Sequence, residues 1–200
     1  LLPPLQRHPH VQFNGLATSS GRTAQGIADK FGFRFCSADY AELLADDSDA
    51  IVVSTRHDSH ANSVIQALKQ KKHVYVEKPL GLSVSELSAI DTAYQSADSS
   101  QIMVGFNRRY APATLMAREH FAGIQSPLVI SIRVNAGEIP ADHWIQDPSI
   151  GGGRVIGEAC HFVDLASAIA DSAPNYVHAF AAQAENKSLL LNDNIVIQIR

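Results

Sequence analysis

Apolar residues switch between two periods along the first half of this chain, and the switching dictates a parallel sheet. Val11 to Ala17 reads as a strand ending in the turn Thr18-Ser19-Ser20-Gly21, and Ala24, Ile27, Ala28 and Phe31 then follow at the spacing of one helix face. Phe33 to Cys36 is a short strand and Tyr40 to Leu44 a short helix. Ala50 to Ser54 is a continuous apolar run, the pattern of a strand buried on both faces. Past the polar turn Thr55-Arg56-His57-Asp58, the residues Ala61, Val64, Ile65 and Leu68 form the next helical stripe. Val74, Tyr75 and Val76 are again strand. Ser83 and Glu86 stand at capping-box spacing before a helix carrying Leu87, Ile90 and Tyr94, and Ile102 to Gly105 closes the series. Strands separated by helices require right-handed crossovers between parallel neighbours.

Beyond Arg109 the rhythm changes. Ala113 to Phe121 predicts a helix, Leu128 to Val134 alternates as a strand, and a Gly-, Pro- and Asp-bearing stretch runs from Ala136 to Gly153. Arg154 to Ala170 predicts a single helix, and Val177 to Ala182 and Ile195 to Ile199 read as antiparallel strands. Two domains follow: residues 1–110 as an α/β unit with a doubly wound parallel sheet, and residues 111–200 as an α+β unit of mainly antiparallel sheet.

Composition removes several function classes. Sixteen basic residues against 20 acidic ones leave a net charge of -4, which gives no electrostatic footprint for nucleic acid and no polybasic membrane anchor. No apolar run approaches the roughly 20 residues of a membrane helix. Cys36 and Cys160 lie far apart in sequence, so a disulfide framework is not expected and a reducing, cytoplasmic setting is.

Charge gathers where a parallel sheet binds ligands. The strand Val74 to Val76 stops at Glu77, Lys78 and Pro79, and the carboxyl edge of an open α/β sheet is the usual ligand site. The second cluster is Gly151-Gly152-Gly153 followed by Glu158, His161 and Asp164. On an α-helical wheel His161 falls about 200° from Ala159, off the main packing stripe. Glu158 and Asp164 then flank it at i-3 and i+3, where either carboxylate could orient the imidazole or raise its pKa. His161 also has a plainer reading as a partly buried helix residue.

These two segments, E-K-P and G-G-G followed by H-x-x-D, resemble the signatures of the Gfo/Idh/MocA family of NAD(P)-dependent sugar and polyol oxidoreductases. The resemblance implies a Rossmann-type fold, with Lys78 and His161 catalytic: Lys78 beside nicotinamide and substrate, His161 as acid or base on the substrate hydroxyl. It places Lys78, Arg109, Trp144, Glu158 and His161 against substrate. Around the cofactor it places Thr18, Ser19, Arg22, Thr55, Arg56, His57, His60, Glu77, Lys78, Pro79 and Asn107. No metal is implied. His57 and His60 as a metal pair lack the clustered Cys or acidic ligands such a site uses.

Each of these has a bland counterpart. Thr55, Arg56, His57 and His60 match a T-P-N-x-x-H-like loop only in part, and His60 also suits a helix start. Asn107 to Arg109 resemble a G-x-x-x-R segment, yet an interdomain ion pair would equally explain the arginines. Many members carry Asp four residues before the His, where this chain has Gly157. One helical step is about 100°, so on an α-helix Glu158 does not inherit that place. Thr18, Ser19, Ser20 and Arg22 present hydroxyls and a cation where an NAD site presents a carboxylate, which favours NADP over NAD.

The G-x-G-x-x-G turn of a dinucleotide fold does not occur here, and Leu1 to His8 resembles the tail of a first helix. The chain therefore reads as a window of a longer protein, with the central strand and Gly-rich loop upstream of it. Ile139 to Trp144 with Asp147-Pro148 resembles the second-domain loop of proteins in which a zinc alcohol dehydrogenase-like half comes first, and Trp144 there suits stacking on a sugar ring or, equally, plain aromatic packing. The expected partner is a small sugar- or polyol-type molecule, and the full-length protein is expected to be a homo-oligomer. Two rivals remain: a glycoside-cleaving relative that uses NAD transiently, and a non-catalytic dinucleotide-binding regulator.

Overall fold

A computed structural model describes residues 1–18, 21–181 and 194–200, apart from the side chains of residues 21–23. The first half alternates as its periodicity dictates: α1 (Leu2–Gln6), β1 (Gly15–Ala17), α2 (Gly21–Phe31), β2 (Phe35–Ser37), α3 (Tyr40–Ala45) and β3 (Ala50–Val53), then α4 (His60–Lys69), β4 (His73–Val76), α5 (Val84–Gln95) and β5 (Ile102–Val104). All pairings among these strands are parallel. β1 pairs with β2, and β3, β4 and β5 form a second sheet in that order. Among the described residues no strand pairs with the remaining edge of β1 or of β3.

The core lies where α4 packs on α5 and on the face of β3 and β4. Ile51 and Val53 meet Val74 and Val76 from the sheet, with Ala61, Val64, Ala67, Leu68 and Ile90 from the helices. Each large side chain removed from water here contributes about 1.5–3 kcal/mol. One expectation fails. The apolar run of β3 predicts burial on both faces, but Val52 is 47% exposed, because α4 and α5 both cover the face that holds Ile51 and Val53. Local signals carry the helix ends. The Ser83 hydroxyl accepts from the Glu86 N–H at 3.2 Å, and the Glu86 carboxylate reaches back to accept from the Leu82 N–H at 2.6 Å.

The second half departs further from its pattern. α6 (Pro112–Phe121) and α7 (Cys160–Ala170) pack together, and β6 (Val177–Ala181) and β7 (Ile195–Ile199) pair antiparallel as expected. Leu128 to Val134, expected as a strand, forms none. No neighbour lies alongside to give it a ladder among the described residues, and Val129 is almost fully exposed. At the other sequence end of the parallel region, the Val11 to Ala17 strand shortens to its last three residues. The expected helix over 154–170 opens instead with a π-helical turn, Val155–Ala159, before α7 begins. Among the described residues no helix is long and apolar enough to cross a membrane, and both cysteines are free thiols.

Candidate functional site

β4 ends at Val76, so Glu77, Lys78 and Pro79 project from the carboxyl edge of the three-stranded sheet, with a cis bond between Lys78 and Pro79. Gly105 leaves room there. A Cβ on it would come within 2.8 Å of the Tyr75 hydroxyl and 2.9 Å of the Glu77 carboxylate. The Lys78 ammonium crosses to the second half of the chain. It donates to the Gly157 carbonyl and to Glu158 Oε1, both at 2.7 Å. An ammonium has three N–H donors, so one remains for a bound molecule.

The π-helical turn explains how Glu158 arrives. A π turn carries an extra residue, so the α-helical wheel that set Glu158 a step off the site does not apply across Val155–Ala159. His161, in the first turn of α7, is 6% exposed, and its Nδ1 is buried without a hydrogen-bond partner among the described residues. Neither flanking carboxylate bonds it. Asp164 is engaged in a two-pronged pair with Arg109, whose Nε donates to Asp164 Oδ2 at 3.0 Å and whose Nη2 donates to Oδ1. The imidazole pKa is accordingly lowered rather than raised. Burial is the main cause, the nearby Lys78 and Arg108 charges add to it, and Glu158 and Glu77 only partly oppose them.

Between β3 and α4 the loop is held from within. His60 is fully buried, with Nδ1 at 2.7 Å from the Pro79 carbonyl and Nε2 at 3.1 Å from the Thr55 carbonyl. Neither ring nitrogen is left for a bound molecule, so His60 ties the E-K-P loop to the β3 loop. His57 is also buried, and its Nδ1–H donates to the Gly151 carbonyl at 2.8 Å. Thr55 and Arg56 are exposed, and so is Asn107 after β5. Thr18 directly follows β1, Ser19 lies outside the described residues, and the side chain of Arg22 is likewise outside the description.

Trp144 packs on the loop after β3. Its ring meets the His57 ring edge-on at 4.8 Å between centroids, and the Arg56 guanidinium lies 5.6 Å over it. An open cleft of about 920 Å³ runs beside it, lined by Arg56, Asp142, His143 and Asp147 among others, and neither Lys78 nor His161 lines it. Among the described residues no three His, Cys, Asp or Glu side chains gather as a metal-holding group.

The structure thus brings Lys78, Glu158 and His161 into one electrostatic neighbourhood, and commits Arg109 to Asp164. Sequence reasoning missed the Gly157 carbonyl as a lysine acceptor, since a backbone oxygen carries no sequence signal. It also missed Lys72, a buried lysine whose ammonium donates to the Asp46 carbonyl at 2.6 Å and the Ser48 carbonyl at 2.8 Å.

Comparison with known proteins gives the lineage. Residues 1–106 match the Gfo/Idh/MocA family model, described as an oxidoreductase family with an NAD-binding Rossmann fold. Among curated relatives, D-xylose 1-dehydrogenase (NADP(+)) 2 of Haloferax volcanii is 31% identical over 170 residues, 83% of this chain and 51% of that protein. An uncharacterized oxidoreductase of Bacillus subtilis is 28% identical over 197 residues, 92% of this chain and 54% of that protein. The chain spans about half the length of these relatives. Of solved structures, an oxidoreductase domain protein from Kribbella flavida superposes with a TM-score of 0.71 at 28% identity, over 86% of this chain and 48% of that one. A complex of levoglucosan dehydrogenase with NADH and levoglucosan shares the fold, with a TM-score of 0.73 at 22% identity over 94% of this chain and 54% of that one. With more than half of its residues inside the family model, the chain belongs to the Gfo/Idh/MocA oxidoreductase family and carries part of its NAD-binding Rossmann fold.

Proposed function

We propose that this chain belongs to a dehydrogenase that moves a hydride between NAD(P) and a hydroxyl or carbonyl of a sugar, polyol or related small molecule. Residues 1–110 would hold the nucleotide and residues 111–200 would supply substrate contacts, in a protein that assembles from identical subunits. The observation that carries the reading is the meeting of Lys78, from the sheet edge, with Gly157 and Glu158 beside His161. A family relative is named for D-xylose and NADP(+), which supports the substrate class and the NADP preference drawn from Thr18, Ser19 and Arg22.

The residues fit a nicotinamide nucleotide. Thr55, Lys78 and Asn107 line the carboxyl edge of β3 to β5, and His161 Nδ1 is buried with no hydrogen-bond partner among the described residues. Bound there, the nicotinamide supplies the hydride chemistry. The free N–H of Lys78 reaches the substrate oxygen and stabilises the negative charge that develops on it. Glu158 and the Gly157 carbonyl fix where that ammonium points. His161, kept neutral by burial and by the Lys78 charge, takes the hydroxyl proton at Nε2 during oxidation and returns it during reduction.

The test uses the full-length protein with NADP+ or NAD+ and a panel of D-xylose, myo-inositol and levoglucosan. Reduction of the nicotinamide with at least one of them, favouring NADP+, is expected. Tight cofactor binding with no substrate-dependent reduction across a wider polyol panel would refute the reading.

A further inference from the structure

We infer that His57 is a positioning residue of the Lys78 site: its imidazole holds in place the segment whose Gly157 carbonyl receives the lysine ammonium. The inference rests on the proposed dehydrogenase reading for its kinetic consequence, and on geometry alone for the contact itself.

His57 and Asp58 are consecutive residues of the loop after β3, and both hold consecutive carbonyls of the opposite half. The Asp58 N–H donates to the Ile150 carbonyl at 3.0 Å, and His57 Nδ1–H donates to the Gly151 carbonyl at 2.8 Å. A carbonyl only accepts, so Nδ1 carries the hydrogen and the ring orientation is set. The same ring then lies against Gly157. A Cβ built on Gly157 would stand 3.1 Å from His57 Cε1, tighter than ordinary packing. The ring also meets Trp144 edge-on. The imidazole therefore touches both Trp144 and Gly157, the residue whose carbonyl accepts from Lys78 at 2.7 Å.

The neighbouring Gly151 leaves the clamp little slack, since any Cβ there would fall on the Ile145 backbone. Glycine at 157 and histidine at 57 thus depend on each other: the missing side chain of one is the space filled by the other. The assignment differs from a cofactor contact. It predicts that loss of His57 acts on the chemical step through Lys78, and leaves nucleotide affinity nearly alone.

Five variants of the full-length protein test this: His57→Leu, His57→Asn, His57→Ser, Gly157→Ala and the double variant His57→Ser with Gly157→Ala. His57→Leu keeps bulk and loses the bond to Gly151, and should lower kcat about 10-fold with KM for the nucleotide unchanged within about 2-fold, the scale of a small misplacement at a reacting centre. His57→Asn keeps an N–H at about the same place and should recover most of that loss. Gly157→Ala should lower kcat in the parent and do so less beside His57→Ser, because the added methyl then has room. A second readout needs no turnover. Amine labelling of Lys78 by acetic anhydride, read by mass spectrometry of its peptide, should rise in His57→Leu once the ammonium loses its fixed acceptor. Unchanged labelling in a folded His57→Leu protein would overturn the inference. So would a rise in nucleotide KM at constant kcat, or strictly additive effects in the double variant. An inactive parent protein would refute the dehydrogenase reading and leave the labelling result to decide this one.

Discussion

The Arg109–Asp164 pair yields an asymmetric prediction. Its guanidinium comes from the turn after β5 and its carboxylate from α7, so the pair joins the parallel unit to the helix that carries His161. The two side chains are not equally buried: Asp164 is 9% exposed and Arg109 35%. Arg109→Ala strands a buried carboxylate, and breaking a buried pair in this way costs about 3–5 kcal/mol. Asp164→Ala leaves a guanidinium that water already reaches, so its cost falls toward that of a surface pair, about 1 kcal/mol. We therefore expect the arginine variant to be the less stable by about 2 kcal/mol or more, the difference of those two costs. Urea unfolding of the full-length proteins, followed by tryptophan fluorescence, measures both midpoints. Equal losses, or a greater loss for Asp164→Ala, would refute the burial argument.

In the full-length protein Lys78→Ala and His161→Ala should each lower kcat about 100-fold or more, the scale of a positioned acid–base group, and unchanged turnover in both would remove them from the mechanism. His57 and His161 both have pKa values depressed by burial, so the unfolded chain takes up their protons first. The stability they contribute is whole above the ordinary histidine value of about 6.5 and is lost as pH falls below it. Melting temperatures measured from about pH 7.5 down to about 5 should fall less in His161→Gln than in the parent, and parallel curves would contradict this. Leu68→Ala, at a side chain only 1% exposed, should cost about 2–5 kcal/mol by urea unfolding without altering nucleotide affinity per folded molecule.

The sequence carried the parallel region because local signals there agree. Ala61, Val64 and Leu68 repeat at helical spacing and do face the core, and Ser83 with Glu86 does open α5. It carried less of the second half. Leu128 to Val134 alternates correctly, but a strand needs a neighbour, and period alone does not provide one. The π-helical turn was illegible for a related reason: residue spacing is read on an assumed period, and the extra residue at Val155–Ala159 changes that period. Lys78 and His161 stood out as chemistry-bearing residues at a sheet edge and after a glycine run. Their binding partners did not. The Gly157 carbonyl is backbone, and Asp164 stands three residues from His161 yet serves Arg109, a choice that tertiary packing makes.

In the proposed dehydrogenase an ammonium from the sheet edge and an imidazole from α7 face one reacting carbon. A crystal structure of the full-length protein with NADPH and a bound polyol tests it most directly. The nicotinamide ring should lie beside Lys78, with one substrate oxygen within hydrogen-bond reach of both Lys78 Nζ and His161 Nε2. A nicotinamide lying away from Lys78, or a substrate oxygen out of reach of either nitrogen, would contradict it.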